Sequence, residues 1–263
     1  MKNNMKQLPI FFGVLRYEFR MQIHRRALWF AILCFIILFV IRGPGAIFHE
    51  LITNIYDIPM VPLIATWTSQ VNTFLPIAVG VLLADRLWRD KRTKVDELFS
   101  TMPGSLSTRL LGKYLGSTLA TLLPIFLFYS FGIGFIYYKF QNPIIIPVAL
   151  ATFAAIILPG ILFISAFSIA CPTIIWLPLY QFLFVGYWFW GNLLSPRNGI
   201  PTLSNTILTP YGGYMSTGFF GAPFSMAGAT PLEGTASILL LLSITMLVMY
   251  LLWGLLRWQQ ARQ

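Results

Sequence analysis

The chain contains few of the residues from which enzymes and soluble domains are built. Its 263 residues include eight Asp and Glu, two His and two Cys, and only 10% are charged. A soluble domain is usually about 25% charged, so this composition indicates a protein surrounded largely by lipid. Cys34 lies inside one apolar run and Cys171 between two others, which implies no disulfide framework. The two histidines do not suffice for a histidine metal cluster.

Motifs for catalysis and nucleotide binding are incomplete. The pair Gly112-Lys113 is similar to the end of a phosphate-binding loop, but Ser107 and Tyr114 occupy the positions that such a loop gives to Gly and to Ser or Thr. A metalloprotease-like string that begins at His49 lacks its second histidine. We therefore expect no catalytic residue, no metal and no cofactor bound by this chain, and we predict that it is not an enzyme.

Six long apolar runs divide the chain. They cover residues 27–41, 61–84, 114–138, 144–169, 174–194 and 237–256. About 20 apolar residues cross a bilayer as a helix, and the first run, which is shorter, is flanked by arginines that can reach the headgroups. None of the runs contains Asp, Glu, Lys, Arg or His, which argues against an ion-coupled transporter. The sequence thus predicts an all-α integral membrane protein with six transmembrane helices.

The cations lie mostly on one side of these runs. If the first segment is cytoplasmic, the inner segments hold 15 of the 18 Lys and Arg, that is, all except Arg42, Lys139 and Arg197. Cytoplasmic loops of membrane proteins carry such an excess, so we expect a bacterial-type plasma (inner) membrane with both termini cytoplasmic. The inner segments also account for the whole net charge of +10, which therefore indicates orientation rather than nucleic-acid binding.

Residues 1–263 are expected to form a single membrane domain with three special segments. Residues 8–26 form an amphipathic helix at the membrane interface, because apolar residues recur there at helical spacing. Residues 85–113 form the only substantial inner loop. Residues 195–236 form an outer connection that is rich in Gly, Pro, Ser and Thr but poor in charge, which favours a re-entrant or irregular segment over a solvated loop.

The amphipathic helix has two compatible roles. It can anchor the chain to membrane lipid, or it can form a docking surface for a cytoplasmic partner. A polar stripe along the helix favours the docking role. The candidate docking residues are Arg16, Glu18, Arg20 and His24.

The inner loop carries the most specific pattern. Residues 85–92 read DRLWRDKR, residues 96–100 read DELFS, Pro103 follows, and residues 111–116 read LGKYLG. This order resembles the permease subunits of type-2 ATP-binding-cassette (ABC) transporters, as do the six-span layout, the N-terminal amphipathic helix and the long outer connection. One departure is Lys94-Val95, where members often carry Gly-Thr.

The resemblance implies a permease that pairs with a second copy or a paralogue and binds two separately encoded ABC ATPase subunits, on which ATP and Mg are held. Segment 100–108 would be the coupling helix. We expect export of an amphipathic substrate. The implied ATPase-coupling interface comprises Asp96, Glu97, Leu98, Phe99, Ser100, Met102, Pro103 and Leu106.

Other interpretations stay open at this point. The inner loop could be a linker without a partner, and the chain could be an ATP-independent membrane scaffold or accessory subunit, or a facilitator or channel. An integral-membrane enzyme ranks last, since no catalytic constellation is present.

A candidate translocation path lies in the second apolar run. Thr66, Gln70 and Thr73 share one helical face. The side-chain amides of Gln70 and of nearby Asn72 need hydrogen-bond partners, so they would be costly against lipid but useful in a cavity or beside a partner. The alternative is structural, because hydroxyls in a membrane helix often donate to their own backbone.

Overall fold

The computed structural model describes residues 2–42, 59–92, 105–194, 201–204, 206–222 and 228–262. These residues are helical, with turns between the helices and no strand in the described ranges. The α-helices in chain order are α1 (Lys2–Ile23), α2 (Arg26–Arg42), α3 (Met60–Leu83), α4 (Asp85–Arg92), α5 (Leu106–Phe140), α6 (Ile145–Thr152), α7 (Leu158–Ala170), α8 (Leu177–Trp188), α9 (Gly213–Phe220) and α10 (Pro231–Gln260).

Four helices in the described part of the chain are long and apolar enough to cross a membrane. They cover Met60–Leu87, Leu106–Phe140, Ile145–Thr173 and Pro231–Gln260. The other two predicted spans are shorter helices: α2 has 17 residues, and α8 has 12 residues continued by a π-helix of five. The chain is thus an all-α, multi-pass membrane protein by its helices, and the crossings by α2 and α8 stay a prediction.

Helix α3 is the centre of the bundle. In its apolar stretch of 18 residues, 78% of the residues are buried inside the bundle. The corresponding figure for α10 is 22%, so most of the apolar surface of α10 lies on the outside of the bundle. Two indoles connect α3 to its neighbours: Trp67 Nε1 donates to the Tyr129 carbonyl at 3.1 Å, and Trp188 Nε1 donates to the Thr73 carbonyl at 2.7 Å. Large aromatic side chains with satisfied N–H groups pack well in an apolar interior.

The long helix from Ile145 to Thr173 contains an irregular turn. A π-helix occupies Phe153–Ile157, directly before Pro159 in α7. Proline lacks the backbone donor that would bond four residues back, so the regular helical hydrogen-bond pattern is interrupted close to this π-turn. The Ile156 carbonyl, within this turn, accepts a hydrogen bond from Asn72 Nδ2 of α3 at 3.3 Å.

The described part of the outer connection packs deeply among the helices. Helix α9 contacts α3 and α10, with Gly213, Met215 and Ser216 buried. Gly212 before it has φ 89°, a left-handed conformation that favours glycine. A Cβ atom there would also lie 2.5 Å from Ile156 Cγ2, so glycine permits both the turn and the close approach.

Candidate functional site

Helix α1 packs along the first turns of α5, and two glycines make this contact close. A Cβ added to Gly112 would lie 3.0 Å from Val14 Cγ1, and one added to Gly116 would lie 2.6 Å from the Leu15 carbonyl oxygen. Such small residues let two helix backbones approach each other. The amphipathic segment is therefore a helix bound to the bundle, and it extends over Lys2–Ile23 rather than ending at residue 26.

The packed face of α1 carries a buried carboxylate. Glu18 is 2% exposed, and its oxygens lie 3.6 Å from Arg86 Nη2 and 3.8 Å from Lys113 Nζ. Arg86 is equally buried. One negative charge thus faces two positive charges that come from α4 and α5. We call Glu18, Arg86 and Lys113 the basic cluster, and the end of the bundle where it lies the basic end.

A second ion pair fixes the neighbouring junctions. Arg25, between α1 and α2, donates to both carboxylate oxygens of Asp85 at 2.9 and 2.6 Å, and it also reaches the Leu82 carbonyl at 3.4 Å. Two parallel N–H···O bonds give such a pair a defined geometry. The junction of α1 with α2 is thereby fastened to the junction of α3 with α4.

The start of α5 is fastened to α1 as well. Ser105 caps α5 by accepting from the Thr108 backbone N–H at 3.2 Å. The Gln7 side-chain oxygen of α1 accepts from the Thr108 hydroxyl at 2.8 Å and from the Ser105 N–H at 3.3 Å. Both ends of the α1 contact with α5 therefore involve polar bonds.

The structure separates the predicted docking residues. Arg16, Arg20 and His24 are exposed, whereas Glu18 faces the chain's own cations. The stripe that a partner can contact therefore consists of the three basic or imidazole side chains, and their docking role stays a prediction. The burial of Glu18 has no local signal in the sequence beyond its position on the opposite side of the helix from Arg16 and Arg20.

The predicted coupling interface falls mostly outside the described residues. This applies to Asp96, Glu97, Leu98, Phe99, Ser100, Met102 and Pro103. Leu106, the last of the set, is the first residue of α5 and lines a groove at the basic end. The flanks of the coupling segment are thus described on both sides, in α4 and at the start of α5.

A second polar contact lies near the midpoint of α3, at Asn72. Its Nδ2 atom lies 3.3 Å from the Ile156 carbonyl oxygen, 3.1 Å from that of Pro210 and 2.9 Å from that of Tyr211. Asn72 is 1% exposed. We call this group of one amide and three carbonyls the amide site. Asn72 thus provides a donor to backbone carbonyls of the irregular turn and of the outer connection, and irregular backbone at membrane depth requires such partners.

The candidate path residues differ from one another in the structure. The Thr66 hydroxyl donates to the Pro62 carbonyl at 2.8 Å, and the Thr73 hydroxyl donates to the Ser69 carbonyl at 2.8 Å. Both are buried, whereas Gln70 is half-buried. The hydroxyls therefore have the structural partners that the alternative interpretation expects. The role of Gln70 on the path stays a prediction.

Asn72 is a functional candidate that is missing from the predicted path residues. As an amide in a membrane helix it is expected to need partners, and the structure provides them. Its partners are backbone carbonyls in segments distant along the chain, and backbone groups have no sequence signature. Pro159 and the Gly212-Gly213 pair were the available signals for irregular backbone nearby.

Comparison of the chain with protein-family models, with curated proteins and with solved structures found no match.

Proposed function

We propose that the chain is the membrane-spanning permease subunit of an ATP-driven transporter of the type-2 ABC class. It pairs with a second copy or a paralogue and binds two separate ATPase subunits at the basic end, on the cytoplasmic side of a plasma membrane. It exports an amphipathic substrate along a path that includes Gln70. The chain itself provides no ATP hydrolysis.

The observation that supports this proposal is the joining of α1, α4 and α5 at the basic end. Glu18 of α1 faces Arg86 of α4 and Lys113 of α5. Gln7 of α1 bonds Ser105 and Thr108 at the start of α5. The coupling loop of the proposal connects α4 to α5, so it begins and ends in helices that are fastened to the same third helix.

This arrangement suits the transmission of movement. If α4 and α5 could move independently, a force that a partner applied to the loop would move only the nearer helix. Because both helices are bonded to α1, we expect a displacement of either one to move α1 as well. Helix α5 also extends over 35 residues from the basic end. At about 1.5 Å per residue, such a helix is long enough to reach across a bilayer core of about 30 Å.

The orientation is testable with two single cysteines on α5. Ser107→Cys and Gln141→Cys lie at opposite ends of this helix, in a background without Cys34 and Cys171. We expect an impermeant thiol reagent to label position 141 from outside intact cells and position 107 only after the membrane is opened. Labelling of both positions from the same side would contradict the proposed orientation.

The ATPase partner is testable by isolating the tagged chain from its native membrane in a mild detergent. We expect a subunit with a phosphate-binding loop in the preparation, together with ATP hydrolysis that disappears when the chain is purified alone. A folded chain that retains no nucleotide-binding subunit, under conditions that preserve a control membrane complex, would favour the scaffold or facilitator interpretation instead.

A further inference from the structure

The two ion pairs that join the α1 region to α4 differ in closeness. Arg25 donates to both carboxylate oxygens of Asp85 at 2.9 and 2.6 Å. By contrast, Glu18 Oε2 lies 3.6 Å from Arg86 Nη2, which is beyond the usual range of about 2.7–3.2 Å for N–H···O bonds. The contact of Glu18 with Arg86 is therefore an ion pair without a hydrogen bond.

A buried glutamine lies between these two pairs. Gln22 is on the same face of the chain as Glu18 and Arg25, within about one helical turn of each. It is fully buried, and neither its Oε1 nor its Nε2 atom has a hydrogen-bond partner among the described residues. The same holds for Glu18 Oε2 and for Arg86 Nε and Nη2. Buried polar atoms are bonded in the great majority of cases, so five such atoms in three side chains need an explanation.

These atoms include both donors and acceptors. Arg86 Nε and Nη2 and Gln22 Nε2 carry hydrogens, whereas Glu18 Oε2 and Gln22 Oε1 accept them. A movement of about 0.7 Å would reduce the 3.6 Å separation of Arg86 Nη2 and Glu18 Oε2 to an ordinary bond length. A small approach of α4 to α1 would therefore begin to pair them.

The contacts of α1 indicate which parts can approach each other. Helices α1 and α5 form one unit, because two glycines bring their backbones together and Gln7 bonds the start of α5. Helix α4 is short, and its first residue, Asp85, is held by Arg25. Beyond this fixed point, Arg89 Nη2 of α4 meets Met21 Sδ of α1 at 3.5 Å, and sulfur is only a weak acceptor. Helix α4 can thus pivot at Asp85 toward α1.

We propose that α4 closes on α1 in a second state of the chain, and that the structure described above is the open state of this joint. The pivot is the pair of Arg25 with Asp85. In the closed state Arg86 donates to Glu18 Oε2 and to Gln22 Oε1. Packed elements with two discrete arrangements are a common basis of switching. The use of this closure for coupling rests on the proposed function, since α4 leads into the inner loop, but the closure itself does not.

Met21 is a natural reporter on the joint, because its sulfur contacts Arg89 of α4. The full chain is labelled with methionine that carries carbon-13 in its methyl group and is placed in lipid nanodiscs without an ATPase. The nuclear magnetic resonance signal that Met21→Leu removes is the Met21 methyl signal. We expect two positions of this signal, or broadening by exchange between them.

Two substitutions at Gln22 should change the populations in opposite directions. Gln22→Leu removes an acceptor for Arg86 and should lower the ratio of closed to open state about fivefold, the equivalent of a bond of about 1 kcal/mol. Gln22→Glu offers Arg86 a charged acceptor, which bonds more strongly, and should raise the ratio. Gln181→Leu is the matched control, because the Gln181 amide donates to the Val81 carbonyl and should leave the ratio unchanged.

A single Met21 signal that neither Gln22 variant moves would overturn the proposal. In that case a higher free energy of unfolding in Gln22→Leu would show a static amide without partners, and a lower one would show that buried water bonds it. If Gln22→Leu folds poorly, the wild-type signal and Gln22→Glu still decide. Because no ATPase is present, failure here is distinct from failure to isolate an ATPase with the chain.

Discussion

The basic cluster and the amide site are both buried polar contacts between distant parts of the chain, but different groups form them. The basic cluster uses charged side chains from three helices, near the helix ends. The amide site uses one neutral side chain and three backbone carbonyls, near the midpoint of α3. Charge is costly at the centre of a bilayer and less so near its surface. The position of each contact along its helices therefore agrees with its chemistry.

The two contacts also differ in what their loss would leave behind. Removal of Glu18 leaves two cations without their shared carboxylate. Removal of Asn72 leaves neutral carbonyls without a donor. The first penalty involves buried charge and the second does not, so mutations at the two sites should differ in magnitude.

The largest effect is expected for Glu18→Gln. Loss of one partner in a buried ion pair costs about 3–5 kcal/mol, and we expect the free energy of unfolding to fall toward that range because Arg86 and Lys113 stay buried. Thermal or denaturant unfolding of the purified chain in lipid nanodiscs measures this change. Arg16→Gln, on the exposed side of the same helix, is the control. Equal stability of the two variants would mean that the basic cluster does not hold α1.

Asn72→Leu should have the next largest effect. It removes the donor to the carbonyls of Ile156, Pro210 and Tyr211, and unsatisfied buried groups cost about 1–3 kcal/mol. Unfolding in the same nanodiscs gives the loss, and protease susceptibility near residue 210 reports whether the outer connection has separated from α3. If that segment stays protected, other contacts hold it in place.

Three glycines allow the close contacts of the two regions to be compared directly. A Cβ at Gly116 would meet the Leu15 carbonyl at 2.6 Å, and one at Gly160 would meet the Pro210 carbonyl at 2.3 Å, whereas Gly134 has nothing within 4 Å. Gly116→Ala and Gly160→Ala should each cost about 1–3 kcal/mol through overpacking. Gly134→Ala should be neutral or stabilising, since alanine favours helix more than glycine does. A uniform response of all three would refute the inferred contacts.

The smallest effect on stability is expected for Gln70→Leu. Gln70 is half-buried, and substitutions away from the core usually change stability by about 0.5 kcal/mol or less. If Gln70 lines the path, transport or substrate-stimulated ATP hydrolysis should change while unfolding does not. Thr66→Val is the comparison on the same helical face. Unchanged transport in Gln70→Leu would remove this residue from the path.

The sequence predicted single helices better than their partners. Apolar runs and the positions of cations gave the long helices, because hydrophobicity and helix length are local properties. They did not reveal that α1 packs on α5, although Gly112 and Gly116 were recognisable as small residues at close-packing spacing. The burial of Glu18 depends on Arg86 and Lys113, which lie far along the chain, and the partners of Asn72 are backbone carbonyls. Long-range pairing of this kind has no local signature.

The proposed role of the basic end depends most directly on the coupling loop, and one comparison tests it. Glu97→Lys reverses a charge in that loop, and Glu50→Lys makes the same change in a segment predicted to lie on the opposite side. Loss of a buried charged contact costs about 2–5 kcal/mol, and 2 kcal/mol is roughly 30-fold in affinity. The measurement is the amount of ATPase subunit, and its ATP hydrolysis, that remains with the chain isolated from its native membrane. We predict a loss of about 30-fold or more for Glu97→Lys and none for Glu50→Lys. Wild-type levels of both in the Glu97→Lys preparation would contradict the account.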